Sequence, residues 1–538
     1  MNPRRVRSSA WIVGLAAALA WAAPASSQSL ETVRERLDLS PDPILRSPRL
    51  LGMGHLTLAD DVNNRINLWD FARVPAGLLD ADSSSILEFR PGTSSASSAH
   101  DDLLGDPNRE RQDLAARDVR LGFEAWRRAE SVAYGFSGDV SSLRFDEPRS
   151  DQFERRAQIR QPSVTGVLNG AIPRLWPERL RWAAHFGYTN ENHQDQFRLL
   201  YRTPIGDYID NNGTIIDPPD QFTPNDIEIS TLGGGGSLAY RAGKALAVAA
   251  LADFSFAKFN GENSGPRHSS EVSENRPYLT GQAVATGRLA DRVEWGVDAR
   301  SWTSSAQQNW ALSLSTGSGA IPFSGRGKLA ERDEKGSRLR TRARWMLGGL
   351  ELGGSFGTFY RKIDITPPAA DDRTSFNYFR NIAGNVAGTD SLVFPDSVSR
   401  FTTEERAWEG VAGGSWRVSR LMLGAEFHVA ERSLEQTVTG KGPVRHVWDV
   451  RGGLEHPCTK VLTGRLGYIY RSDDRDDQTA QNEFVSHTVT AGLGLRPEGA
   501  TWGFEAGYAI EWLQPDFGDP TEGRESRQQL AGQVRWVF

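Results

Sequence analysis

A single cysteine, Cys458, stands in the 538 residues. That excludes an internal disulfide and any Cys/His zinc box. A surplus of positive charge is also missing. The 62 Lys and Arg face 68 Asp and Glu, a formal net charge of −6, so nucleic-acid binding has no electrostatic support. Past the N-terminus no run reaches the ~18 consecutive apolar residues of a membrane-spanning helix. Hydrophobic residues are only 38% and the mean hydropathy is −0.48. On length alone, a large soluble enzyme of two or three domains stays open. What the chain does hold is glycine, 54 residues, and aromatics, with 24 Phe, 16 Trp and 11 Tyr. Glycine at this level exceeds the usual share of about 7%.

The two ends of the chain narrow the choice. Arg4, Arg5 and Arg7 precede an apolar run from Ala10 to Ala23, and Ala25 and Ser27 have the spacing of a signal-peptidase site. Residues 1–27 therefore read as a signal peptide, cleaved near Gln28. Its three arginines carried away, the formal net charge moves from −6 to −9. No cysteine follows the cleavage point, so a lipoprotein is not expected. At the other end, Leu530, Gly532, Val534, Trp536 and Phe538 alternate with Ala531, Gln533, Arg535 and Val537. A last strand of this kind, closed by Phe538, resembles the C-terminal signature of bacterial outer-membrane β-barrels, which their assembly machinery reads.

A membrane barrel needs ~9–11-residue strands with every second residue facing lipid. Trp502, Phe504, Ala506, Tyr508, Ile510 and Trp512 share one face, opposite Gly503, Glu505, Gly507, Ala509 and Glu511. The same alternation places Leu466, Tyr468 and Tyr470 opposite Arg465 and Arg471. It also places Phe254 and Phe256 opposite Asp253 and Ser255, and Phe186 and Tyr188 opposite His185 and Thr189. None of these stretches has the i, i+3, i+4, i+7 spacing of a helix. Short turns, such as Gly348-Gly349, alternate with longer polar connections at 198–225, 259–275, 304–337, 364–404, 433–444 and 472–482. The expected fold is all-β, a transmembrane antiparallel up-and-down β-barrel over 84–538. About 18 strands are counted, with 14 or 16 as the neighbouring even numbers. The first strand is expected at 84–90, paired with 118–126.

Residues 28–83 precede the barrel. They contain Ala59-Asp60-Asp61, and then Pro75-Ala76-Gly77-Leu78 just before the first strand. This run resembles the start of the FadL long-chain fatty-acid transporters and the related PorV-type proteins. In those an alanine-aspartate-aspartate run is followed by an asparagine-proline-alanine-glycine-leucine turn. Val74 stands here in place of that asparagine. The resemblance covers about 35 residues and implies that 28–83 forms a plug or hatch inside the barrel. A periplasmic extension is the alternative that strand periodicity leaves open.

Four groups of residues could carry function. Arg338, Arg340, Arg342 and Arg344 repeat at period two, so all four point to the lumen. Such a ladder attracts anions or an acidic plug, or is neutralised in place by Glu351, Glu294 and Asp298. Glu505 and Glu511 are further lumen-lining residues. The acid-rich stretch Ser472–Gln478 lacks the spacing and glycine of a calcium loop and reads as a solvated loop. His185, His428, His446 and His487 lie in the barrel, but no triad can be read from separated strands, and no catalytic, cofactor or metal residues are assigned. Cys458 falls in a short periplasmic turn.

The expected function is that of an outer-membrane channel or transporter for a small solute, hydrophobic ones included, through a partly plugged barrel. Its expected partners are outer-membrane lipid, the assembly machinery and the solute. A secretion accessory or surface scaffold, and third a barrel hydrolase, are the alternatives.

Overall fold

The computed structural model describes 48–53, 56 and 85–538, except 102–110, 130–131, 148–152, 172–179, 200–222, 243–245, 266–267, 290–291, 315–322, 367–374, 383–384, 394–400, 437–439, 478–479 and 517–523. The signal-peptide reading and the motif residues Asp60, Asp61, Pro75, Ala76, Gly77 and Leu78 lie outside the described residues.

The short helix α1 (Pro48–Gly52) comes first. The strands β1 (Ser85–Asp101), β2 (Arg111–Ala129), β3 (Val132–Glu147), β4 (Phe153–Ala171) and β5 (Leu180–Leu199) follow. Next are β6 (Thr223–Arg241), β7 (Ala247–Gly265), β8 (His268–Leu289), β9 (Val293–Leu314), β10 (Phe323–Leu347) and β11 (Leu350–Thr366). β12 (Ser375–Ile382) and β13 (Asn385–Val393) form a separate hairpin. The chain continues with β14 (Phe401–Val418), β15 (Leu421–Gln436), β16 (Gly440–Pro457), β17 (Leu462–Asp477), β18 (Ala480–Leu495), β19 (Trp502–Asp516) and β20 (Arg524–Val537).

Eighteen of these strands make one sheet. Each pairs antiparallel with its neighbour in sequence, β11 pairing with β14. β20 closes the ring on β1, with Trp536 opposite Leu87 and Val534 opposite Phe89. The backbone N–H of Phe538 donates to the Ser85 carbonyl at 3.0 Å, so the terminal residue finishes the seam. Closure leaves no open edge, which is how a polar chain can satisfy its backbone in lipid without a helix.

Outward faces carry the apolar side chains that the alternation assigned to lipid. Phe186, Leu232, Leu466 and Phe427 are all exposed, as are Trp502, Tyr508 and Trp512. Along β15–β18 the rings of Phe427, Trp448, Tyr470 and His487 form a row, with successive centroids 6.5, 5.3 and 5.2 Å apart. Such aromatic rows mark the interfacial edges of a barrel's apolar belt. The fold is that of an outer-membrane β-barrel, and the 18-strand count agrees with the sequence.

The longer connections are the main correction. Much of 259–275, 304–337, 433–444 and 472–482 is strand, and the β7–β8 and β17–β18 hairpins are paired almost to their tips. β10 runs 25 residues, where ~10 cross a membrane. Its apolar outward residues stop at Leu339, and Glu331, Asp333, Lys335 and Ser337 continue the same face in water. Hydrophobic alternation ends where lipid ends. The backbone ladder continues, because its hydrogen bonds do not depend on which side chains the outer face carries. The Ser472–Gln478 stretch is accordingly the top of β17 as far as Asp477.

Candidate functional site

Eighteen strands spaced ~4.8 Å and tilted ~40° close a ring about 35 Å across. Side chains from opposite walls leave roughly 20 Å between them, so the wall alone does not fill the bore. Function must be sought on that inner wall.

The ladder lies there. Leu339 and Trp345 are exposed on the outer face of β10, which turns Arg338, Arg340, Arg342 and Arg344 inward at the level of the lipid belt. The reverse placement would cost about 2–4 kcal/mol per arginine near midplane. Rungs two residues apart are ~6.6 Å from each other along the strand. At that spacing adjacent unit charges repel by about 0.6 kcal/mol in water and about 2.5 kcal/mol at an effective dielectric of 20. Counter-charges are therefore needed.

Three of them are the expected ones. Arg344 pairs with Glu294, and it reaches Glu351 at 3.7 Å. Arg338 lies 3.7 Å from Asp298, which also accepts a 2.7 Å hydrogen bond from Gln282. The fourth was not foreseen. Arg340 pairs with Glu409 at 3.2 Å, two strands away on β14. Gly357 stands between them on β11, paired with both. The legible signal was that inward-facing glycine, which leaves the space clear. Arg342 is exposed, and its cross-strand neighbours are Gly296 and Ser355. With Arg288 and Arg300 on the adjoining strands, six arginines face four carboxylates on this part of the wall among the described residues.

Above the belt the same face of β10 carries a tight knot. The buried Glu334 accepts from Tyr278 Oη at 3.3 Å and Trp302 Nε1 at 3.4 Å. Arg332 and Arg361 donate to it at 2.9 and 3.0 Å. Trp302 also packs against Phe359 and into the space over Gly336. The knot ties β8 to β11. Its sequence signal was the even-numbered register that Arg332 and Glu334 share with the ladder.

Beyond the ladder, α1 lies against the inner wall. Leu51 packs with Ala509 and Ala531, and Met53 and Leu56 pack with Met422. Arg49 donates to Glu455 at 2.7 and 3.2 Å. Glu455 also accepts from Arg465 at 2.7 Å, and Arg465 reaches Glu505 at 3.3 Å. The Met53 carbonyl presses on Gly453, where a Cβ would collide with it. Glu511 sits 4.0 Å from Arg527.

The remaining candidates are held locally. Asp473 in the acid-rich stretch takes two hydrogen bonds from Arg445, at 2.7 and 2.6 Å. No group of side chains suited to a metal occurs among the described residues. His428 contacts Glu426 at 2.9 Å, and His446 lies 3.5 Å from Glu431. His185 lies 3.4 Å from Asp253, again across a glycine, Gly235. His487 is on the outer face, 2.7 Å from the Tyr468 hydroxyl. Cys458 is exposed in the β16–β17 turn.

No protein-family profile matches the chain, and no curated protein matches it. Solved structures do. The Pseudomonas putida toluene transporter TodX is 10% identical, with 91% of this chain and 97% of that one covered at a TM-score of 0.36. A Pseudomonas aeruginosa FadL homologue is 11% identical, with 91% and 98% covered at 0.37. The ferric yersiniabactin uptake receptor FyuA from Yersinia pestis is 10% identical, with 85% and 80% covered at 0.41. Likeness at this level carries no argument about a shared solute, and function has to be argued from the inner wall.

Proposed function

We propose that this outer-membrane barrel is a channel or transporter for a small solute, with residues 28–83 acting as an internal plug. The observation that carries the reading is α1 docked on the inner wall of a ring too wide for its own side chains to fill. Leu51, Met53 and Leu56 bury apolar surface there, and the Arg49–Glu455–Arg465–Glu505 chain fixes the register. A segment so placed narrows the bore. The polar wall supplies groups that replace a solute's hydration on the way through. A hydrophobic solute would have to use the few inward aromatics, among them Trp126, Tyr278, Trp302 and Phe359. The C-terminal residues Val534, Trp536 and Phe538 fit the role of an assembly signal.

Single-channel recording in planar bilayers tests this, comparing the mature chain with one lacking 28–80. A larger unit conductance for the shortened chain is expected. Silence from both overturns the reading. It would favour a surface scaffold, for which the tall polar collar of β8–β11 is the supporting observation.

A further inference from the structure

We infer that the lumen face of β10 is an anion-binding stair, so that the solute class is small molecules bearing carboxylate or phosphate. The inference rests on the channel reading and deepens it.

Four observations combine. The rungs lie at the level of the lipid belt, since Leu339, Trp345 and Leu347 occupy the outer face beside them. Any solute crossing the membrane must pass them. The bore is roughly 20 Å wide and the Debye length at physiological salt is ~8 Å, so the field of the rungs reaches well into the passage. Among the described residues the local surplus is cationic, six arginines to four carboxylates, whereas the knot above pairs Arg332 and Arg361 with Glu334 and Glu405. Exposure is concentrated at the two middle rungs. Arg342 is exposed beside Gly296 and Ser355, and Arg340 and Glu409 are 38% and 52% exposed, a pair that a mobile anion can exchange with. The end rungs, Arg338 and Arg344, are closer to buried and held by Asp298, Glu294 and Glu351.

The choice of arginine matters chemically. A guanidinium keeps its charge at any working pH and offers paired N–H donors that match a carboxylate or phosphate edge. Small neighbours, Gly296, Ser355 and Gly357, flank the two middle rungs and leave their heads accessible. An anion can thus pass from one rung to the next without leaving the reach of both. Rings of Arg or Lys are the general device for anion and phosphate pores.

The test measures reversal potential in a KCl gradient with the mature chain, and block of the chloride current by inorganic phosphate. Anion selectivity is expected, together with a phosphate block weakened about tenfold by Arg340→Ser combined with Arg342→Ser. Arg342→Lys should keep the sign of selectivity while weakening the block, which a purely structural role would not produce. Heat-modifiable gel mobility checks that each variant folds. A cation-selective current, or a block unchanged in the double variant, overturns the inference and leaves the channel standing. If no current flows at all, the channel reading fails. Phosphate titration of the detergent-solubilised barrel then decides: weaker binding by the double variant supports the stair, and equal binding overturns it.

Discussion

Arg340 and Glu409 form an ion pair of 3.2 Å although a whole strand separates them. The strand between is β11, and the residue between is Gly357. The arrangement recurs. His185 meets Asp253 over Gly235, and Arg465 reaches Glu505 over the β18 wall at Gly492 and Gly494. On an inner wall, a glycine lets charges on alternate strands meet, so an acid two strands away can offset part of a crowded row of arginines.

The first prediction concerns that geometry. A Cβ on Gly357 would lie 2.9 Å from Glu409 Oε1 and 3.0 Å from its Cγ. Gly357→Leu should push Glu409 off Arg340 and cost about 1 kcal/mol, the small sum reflecting how exposed the pair is. Gly452, on the lipid side with nothing near its Cβ position, is the control. Gly452→Leu should leave stability unchanged or raise it. Urea unfolding in lipid vesicles, followed by tryptophan fluorescence, measures both.

Glu334 should behave differently because it is buried. Glu334→Ala leaves Arg332 and Arg361 without their shared acceptor. The loss of one partner in such a network costs about 3–5 kcal/mol. The same unfolding assay should show a larger drop than for Gly357→Leu, and a change no greater than that of Gly357→Leu would rule out a structural role for the knot.

The height of the lipid belt can be checked on one strand. Leu339→Arg places a cation in lipid, at a cost of about 2–4 kcal/mol if near midplane and less toward the edge. Asp333→Arg lies on the same face six residues higher, in the collar, and should cost less than about 1 kcal/mol. Similar penalties at both positions would mean that the belt extends further up β10 than Leu339.

Orientation is open to labelling. Cys458 is exposed in a short turn, on the end of the barrel where both β1 begins and β20 ends. In bacterial barrels the short turns are periplasmic. A maleimide too large for the bore should therefore label intact cells poorly and permeabilised cells well. Equal labelling of intact cells would invert the assignment.

Much of the architecture was legible because a barrel strand is written in the sequence with a period of two. Phe186 and Tyr188 against His185, or Leu339 and Trp345 against the arginines, needed only alternation to be placed on the correct wall. The strand number followed from counting such segments. The length of the strands did not, because beyond Leu339 the outer face of β10 meets water, and Glu331 or Asp333 in a paired strand looks like loop chemistry.

The sequence by itself determined which residues face lipid and which face the lumen, since side-chain direction in a strand is fixed locally. Only the tertiary structure decided which lumen residues meet. Arg344 with Glu294 and Glu351 required just the neighbouring strands. Arg340 with Glu409, the four donors on Glu334, and Arg49 on Glu455 depend on register across several strands and on the ring being closed. Those contacts join residues up to 406 positions apart, and no local pattern encodes a distance that only the closed backbone sets.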